Sequence, residues 1–146
     1  VMECKGKVTP EFKRLIGYVT SFASGCVYCQ AHTILGAERF GCTKKRLEEV
    51  WNYENTSAFS NAEKSALDFA FAAASVPNKV TGKEASQLQN YWNDNDIVEI
   101  MGVIALFGFL NRWNDSMGSA LEDLPIEKGE EHLMKNTNWT PGKHRV

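Results

Sequence analysis

Two cysteines and a histidine follow one another at intervals of three residues, as Cys26, Cys29 and His32 in the stretch SGCVYCQAHT. At about 100° per residue, this spacing places all three side chains on one helix face about 120° wide. A thiolate there can attack a peroxide oxygen, become a sulfenic acid, and be closed to a disulfide by the second cysteine. An external thiol then reopens the disulfide, and the imidazole can accept or return a proton near neutral pH. The pattern indicates thiol redox chemistry.

A metal site and an inert pair of core cysteines are the alternatives. A structural zinc site needs four ligands, and the fourth would be Cys42, about three turns further along the same helix. One face of one helix cannot surround a tetrahedral ion, so no metal is predicted. Buried cysteines are common in cores, so two inert thiols remain an alternative. Cys4 and Cys42 are interpreted as ordinary cysteines.

Helices are predicted on both sides of this motif. Thr9 and Pro10 are typical of a helix start, and the apolar side chains that follow lie on one face as far as about Ala23. The pair Ser24-Gly25 then interrupts the helix, and Ser24 is predicted to cap the next one. That next helix carries Cys26 in its first turn, where free N–H groups favour a thiolate.

The rest of the chain is also predicted to be helical. Cap residues and capping boxes mark further helix starts at Thr43, Ser60–Glu63, Thr81–Glu84 and one of residues 94–96. The last of these begins a long apolar helix that runs to about Met117. The tail from residue 118 is more polar, and one short helix over 126–135 and an extended end are expected there. No segment alternates like a strand, so the prediction is an all-α, single-domain bundle of about six helices over residues 1–146.

Composition limits the partners. The net charge is −2 without a basic stripe, so no nucleic-acid partner is expected. The longest uncharged apolar run, Ile100–Leu110, is too short to cross a bilayer, and the start of the chain lacks the pattern of a signal peptide. We therefore expect no membrane partner and a cytoplasmic location. Helices that are apolar on several sides, at 65–74 and 97–110, favour a homo-oligomer, whether dimer, trimer or hexamer.

The chain resembles a known superfamily in four stretches: GCVYCQAHT, EFKRLIGYVTSFAS before it, NRWND at 111–115, and NWTPGKH at the end. They are similar to the carboxymuconolactone decarboxylase superfamily, and specifically to its alkyl hydroperoxidase D-like, peroxidase-related branch. The resemblance implies an all-helical fold, usually assembled as a trimer or hexamer. It also implies a redox-active cysteine pair that reduces peroxides or passes electrons to a partner peroxidase. The true decarboxylases of the superfamily lack this pair.

Two positions depart from the family pattern. The family's histidine lies four residues after the second cysteine, where this chain has Thr33, so that the histidine is His32. The family's glutamate lies twelve residues before the first cysteine, where this chain has Arg14. The resemblance then implies that Glu11, one turn earlier, replaces it in a proton relay to His32 through water. The alternative for Glu11 is a carboxylate favoured at a helix start.

The predicted roles follow from these positions. Cys29 is assigned as the thiol that attacks the peroxide because His32 lies one turn away, and Cys26 as the resolving thiol. The helix start makes the reverse assignment credible. Tyr28 either hydrogen-bonds near the sulfurs or packs its ring. Asn111, Asn114 and Asp115 share a face, and they either line the pocket or cap the helix against another subunit.

The predicted function is that of a thiol-dependent peroxidase-like oxidoreductase acting on hydroperoxides. Because no flavin, haem or nucleotide motif occurs, no resident cofactor is predicted, and electrons come from an external thiol protein or a small dithiol. Two alternatives remain. The chain is a non-enzymatic oligomer whose cysteine pair is a redox switch or a vestige, or it is a decarboxylase-type lyase that does not need the cysteines.

Overall fold

A computed structural model describes all 146 residues, and it is built of α-helices without a strand. Eight α-helices follow one another as α1 Pro10–Ser24, α2 Val27–Arg39, α3 Lys44–Glu49, α4 Asn61–Ala74, α5 Gly82–Tyr91, α6 Asp94–Met117, α7 Asp123–His132 and α8 Met134–Thr137. A 3₁₀ helix, Val50–Asn55, lies between α3 and α4, and a second one, Gly142–His144, follows α8. The all-α prediction is confirmed. The number of helices is larger than predicted because the tail carries two of its own.

Helix α1 is the centre of the bundle. It packs against α2, α4 and α6, and its side chains at Leu15, Ile16 and Tyr18 have no exposed surface. The apolar side chains of α1 recur every three or four residues, which gives the helix a wide buried face. Since α1 and α2 are consecutive and packed together, the turn that joins them is held firmly at one end of the core.

Most helix starts lie where the local sequence predicts them. The side chains of Thr9, Thr43, Ser60 and Thr81 cap their helices, and Ser60 and Thr81 form full capping boxes with Glu63 and Glu84. For α6 the prediction was off by one residue. Asn93 is the cap, because its side chain accepts the N–H of Asp96 at 3.0 Å while the Asp96 carboxylate accepts the N–H of Asn93.

The tail after residue 118 carries the predicted short helix, which is α7, but a further helix, Met134–Thr137, and a 3₁₀ helix, Gly142–His144, lie where an extended end was predicted. Helix α7 packs against α2, and Leu133, Trp139 and His144 are buried at 0 %, 3 % and 0 % exposure. The backbone N–H of Leu121 donates to the carbonyl of His144 at 2.7 Å. A few apolar and aromatic residues spread through a polar segment are enough to fix it on the bundle.

A glycine in α7 makes room for the tail. A Cβ added at Gly129 would lie 2.5 Å from the indole ring of Trp139. We expect Gly129→Ala to lower the free energy of unfolding by about 1–3 kcal/mol, since the packed ring must move. Urea denaturation measures this. Gly82→Ala is the control, because nothing lies within 4 Å of its added Cβ, and equal stabilities of the two variants would contradict the prediction.

The surface of α6 carries exposed apolar side chains. Those exposed by at least 40 % are Val98, Met101, Phe109, Trp113 and Met117. None of the helices combines the length and the apolar character that crossing a membrane requires. A row of apolar groups on a helix of this kind is typical of a surface that contacts another protein.

Candidate active site

The turn between α1 and α2 positions the first cysteine. Gly25 ends α1 with a left-handed backbone, φ 75°, a conformation that favours glycine. The N–H of Cys26 then donates to the carbonyl of Ser21 at 3.0 Å. Cys26 itself, and not Ser24 as predicted, caps α2, because its sulfur accepts the N–H of Cys29 at 3.5 Å. The sequence thus places a sulfur where free helix N–H groups point.

Cys26 and Cys29 form a reduced, buried dithiol. Both are free thiols, with 0 % and 2 % of the residue exposed. A hydrogen bond from the Cys29 thiol lowers the pKa of Cys26, and it outweighs burial with help from the N–H groups of Cys29 and Tyr28. The same hydrogen bond, together with burial, raises the pKa of Cys29. The geometry thus favours Cys26 as the thiolate, the reverse of the roles predicted from the sequence.

His32 lies at the edge of this dithiol. Its Nε2 is hydrogen-bonded to the carboxylate of Glu122 at 2.9 Å, and about a third of its side chain is exposed. Its ring packs on Tyr28, with 4.6 Å between the ring centroids. No hydrogen bond joins the imidazole to either sulfur. The contact of His32 with the cysteine motif is therefore the packing of its ring on Tyr28, the residue before Cys29.

Glu11 lies outside the site, so its prediction as a relay residue was wrong. Its carboxylate accepts from the guanidinium of Arg46 at 2.8 Å. It also lies beside Cys42, where burial and the Glu11 carboxylate raise the pKa of that thiol to about 12. Glu11 and Ser24 lie thirteen positions apart on α1, and a helix rises roughly 20 Å over that interval. The carboxylate therefore belongs to an ion cluster at the far end of α1.

Tyr28 packs between two imidazoles. Its ring centroid lies 4.6 Å from that of His32 and 5.5 Å from that of His144. Its hydroxyl makes no hydrogen bond to a sulfur, so of the two predicted roles the structure shows packing. Burial, the Glu122 carboxylate and the two cysteines raise the pKa of the phenol, which places it in the electrostatic surroundings of the dithiol.

The last turns of α6 bring polar side chains to the sulfurs. The amide of Asn114 donates to the sulfur of Cys29 at 3.7 Å, a contact that helical spacing alone does not predict. Asn111 is buried, and its amide atoms have no hydrogen-bond partner. The Asp115 carboxylate opposes a negative charge on both sulfurs. This face of α6 therefore lines the site, which is the first of the two roles predicted for Asn111, Asn114 and Asp115.

A groove of about 320 Å³ runs beside these residues. Its lining is mostly polar and includes Ser24, Asn111, Arg112, Asp115 and Ser116. Ser24 precedes Cys26 by two residues, so the groove opens at the start of the cysteine motif. A small molecule in it would contact both hydroxyl and charged groups.

One other cluster has the composition of a metal site. Glu38, Glu131 and His132 bring their ligand atoms within 4.8 Å of one another. However, the ammonium of Lys128 lies 3.1 Å from Glu38 and 2.7 Å from Glu131. It supplies the positive charge that these carboxylates need, and the cluster ties α7 to α2.

The chain is similar to a known protein family and to several solved structures. The model of the carboxymuconolactone decarboxylase family matches residues 1–72. The crystal structure of the debrominase Bmp8 is 30 % identical and has a TM-score of 0.85, with 89 % of this chain and 70 % of that chain covered. A Bmp8 variant with a cysteine replaced by alanine, in complex with 2,3,4-tribromopyrrole, matches over the same shares at 29 % identity and a TM-score of 0.85.

A more distant structure shows the same fold. It is ATU0492 from Agrobacterium tumefaciens, a protein of unknown function suggested to be an antioxidant defence protein AhpD, with 17 % identity and a TM-score of 0.70. The alignment covers 75 % of this chain and 76 % of that chain. No curated protein sequence matches the chain significantly. From the matched family model and the 30 % identical relative, the chain belongs to the carboxymuconolactone decarboxylase family.

Proposed function

We propose that the chain is a dithiol-dependent oxidoreductase that reduces hydroperoxides with Cys26 and Cys29. The observation that carries this proposal is the buried, reduced cysteine pair, in which the Cys29 thiol donates to Cys26 and lowers its pKa. A sulfur held as a thiolate is the form that attacks a peroxide. The second thiol belongs to Cys29, whose backbone N–H donates to the sulfur of Cys26 at 3.5 Å, and it can form the disulfide.

The reaction balances with these two thiols alone. The Cys26 thiolate attacks the terminal oxygen of ROOH, the O–O bond breaks, and the alkoxide leaves as ROH after taking a proton. Cys26 is then a sulfenic acid, and Cys29 attacks its sulfur, forming the S–S bond while the oxygen leaves as water. The peroxide is reduced by two electrons and the dithiol is oxidised by two. An external thiol protein or a small dithiol returns the electrons.

Reductive debromination is the second candidate. The debrominase Bmp8 is more similar to this chain, at 30 % identity, than the AhpD-like protein, at 17 %. Two thiols can replace bromine by hydrogen, since RBr and two thiols give RH, a disulfide, a proton and bromide. The same cysteine pair would serve both reactions, so the two proposals differ in the substrate, a hydroperoxide or a brominated compound.

The electron donor that we propose is external to the chain. We propose that a thiol partner delivers electrons without a resident cofactor, in a reducing cytoplasmic compartment where the dithiol is regenerated. We also propose that the chain forms a homo-oligomer through the exposed apolar side chains of α6, which include Phe109 and Trp113.

Turnover assays test the proposed substrate class. With dithiothreitol as donor, we expect an organic hydroperoxide to be converted to its alcohol, and we compare it with bromide release from a bromopyrrole. The control is Cys4→Ser, since Cys4 is an exposed thiol at the start of the chain, and it should equal the wild type. The double variant Cys26→Ser/Cys29→Ser should have neither activity. Full activity of that double variant would contradict the proposal.

A further inference from the structure

A buried histidine from the tail faces the site. His144 has no exposed surface, and its Nδ1 donates to the carbonyl of Ser119 at 2.7 Å. That bond fixes the ring and leaves Nε2 on the other side. Nε2 is buried without a hydrogen-bond partner. A buried imidazole nitrogen of this kind needs a reason, because an unmade hydrogen bond costs free energy.

The partner that Nε2 faces is a carboxylate. The Nε2 of His144 lies 3.5 Å from the Oδ1 of Asp115, and the ammonium of Lys143 lies 3.3 Å from the same oxygen. Asp115 follows Asn114, whose amide contacts the sulfur of Cys29. The carboxylate is thus close to the imidazole and acts on the dithiol, because its negative charge opposes a thiolate there.

The tail also contacts the two residues between the cysteines. The indole of Trp139 donates to the carbonyl of Val27 at 3.1 Å, and the ring of His144 packs on Tyr28. His144 is therefore held against α2 as well as against the end of α6. Tyr28 and Asp115 are therefore the groups that link its imidazole to the surroundings of the dithiol.

We infer that His144 is a positioning residue that sets the protonation of Cys26 by neutralising the Asp115 carboxylate. This rests on the proposed use of Cys26 as the nucleophile. A protonated Nε2 places a positive charge on the carboxylate, so that a thiolate nearby is repelled less. Without the imidazole, the carboxylate keeps its full effect on the sulfurs. The charged and titratable groups around His144 are Asp115 from α6, Tyr28 from α2 and Lys143 beside it, with His32 and Glu122 beyond Tyr28.

A double-mutant cycle tests this coupling without any peroxide. His144→Asn keeps a donor where Nδ1 lies and removes Nε2, while Asp115→Asn removes the carboxylate charge. In a Cys4→Ser background, we measure the pH dependence of Cys26 alkylation by iodoacetamide, site by site in mass spectra. We expect His144→Asn to slow alkylation at neutral pH about tenfold, an upward shift of about one pH unit. Asp115→Asn should speed it, and His144→Asn should have no effect once Asp115 is replaced.

Three outcomes would overturn the inference. They are an unchanged pH profile in His144→Asn, an equal slowing whether or not Asp115 is present, and no acceleration in Asp115→Asn. The Asp115→Asn measurement remains available even if His144→Asn fails to fold. Asp115 is half exposed, so its replacement should leave the fold intact. Lys143→Ala should give a smaller shift that disappears at high salt, since its ammonium lies in solvent. Absence of peroxide turnover with an intact cycle would refute the proposed function alone.

Discussion

We expect Cys26→Ser to lose the proposed hydroperoxide turnover by about a thousandfold or more, and Cys29→Ser to stop after a single oxidation. The difference follows from the hydrogen bond between the two thiols, which favours the thiolate at Cys26. Without its nucleophile the site has nothing to attack the peroxide oxygen. In Cys29→Ser, the serine hydroxyl still donates to Cys26. We therefore expect one equivalent of peroxide to be consumed and a sulfenic acid to accumulate at Cys26.

Rapid-mixing measurements of peroxide, with dimedone to trap the sulfenic acid, check both parts. Cys4→Ser is the matched control, because it removes one thiol outside the site. The opposite pattern, with a burst in Cys26→Ser and none in Cys29→Ser, would show that Cys29 attacks the peroxide. Trapping at Cys26 would instead support the helix cap as the feature that activates the sulfur.

Arg46→Leu is expected to lower the free energy of unfolding by about 3 kcal/mol or more. The guanidinium, 18 % exposed, donates to Glu11 at 2.8 Å and to Glu63 at 2.7 Å. It also donates to the carbonyl of Ala58 and covers the ring of Phe59. Removing one member of a largely buried ion cluster leaves the remaining charges uncompensated, which costs more than the cluster itself contributes.

Urea denaturation at several pH values measures this. Burial disfavours the charged Glu63, but the bonds from Arg46 and Ser60 outweigh it and hold the pKa of this carboxyl below its usual value. Because the pKa of Glu63 is lower in the folded than in the unfolded state, its ionisation stabilises the fold at any pH above the unfolded-state pKa. This stability is lost as the pH falls through the folded-state pKa. The wild type should therefore lose stability in acid, and Arg46→Leu should show less of this dependence.

Lys44→Leu is the control for Arg46→Leu. Its ammonium is 71 % exposed and pairs with Glu48 at 3.6 Å on the helix surface, so its removal should cost less than about 0.5 kcal/mol. Replacing Glu11 and Glu63 by glutamine as well should restore part of the loss in Arg46→Leu. Equal stabilities of Arg46→Leu and Lys44→Leu would contradict the prediction.

Helix starts were predictable because the signal is local. A hydroxyl at Ser60 and a carboxylate at Glu63 form their reciprocal bonds within four residues, so the sequence contains the whole interaction. The same holds for the break at Gly25 and for the cysteine pair. The presence of such local features can be predicted from residue types and spacing, whereas the chemistry of the cysteine pair stays a prediction.

Residues brought together from distant segments were not predictable in this way. The fate of Glu11 depended on Arg46, 35 residues away, and no local pattern links them. His144 stands out in the sequence only as part of a terminal motif, because its partners are a carbonyl at Ser119 and a carboxylate at Asp115. The direction of His32 depended on Glu122, 90 residues further on. Helical periodicity predicts which side chains share one face of a helix, but it does not predict which residues from distant segments that face contacts.

The bond from Trp139 to Val27 joins positions 112 residues apart. During synthesis the cysteine pair leaves the ribosome well before the segment that covers it, and at ordinary elongation rates that interval is roughly 6 to 22 s. Until residues 139–144 dock, the segment between the cysteines lacks the indole that bonds to Val27 and the imidazole that packs on Tyr28. Nascent chains are therefore the stage at which mispairing with other thiols competes with assembly of the site.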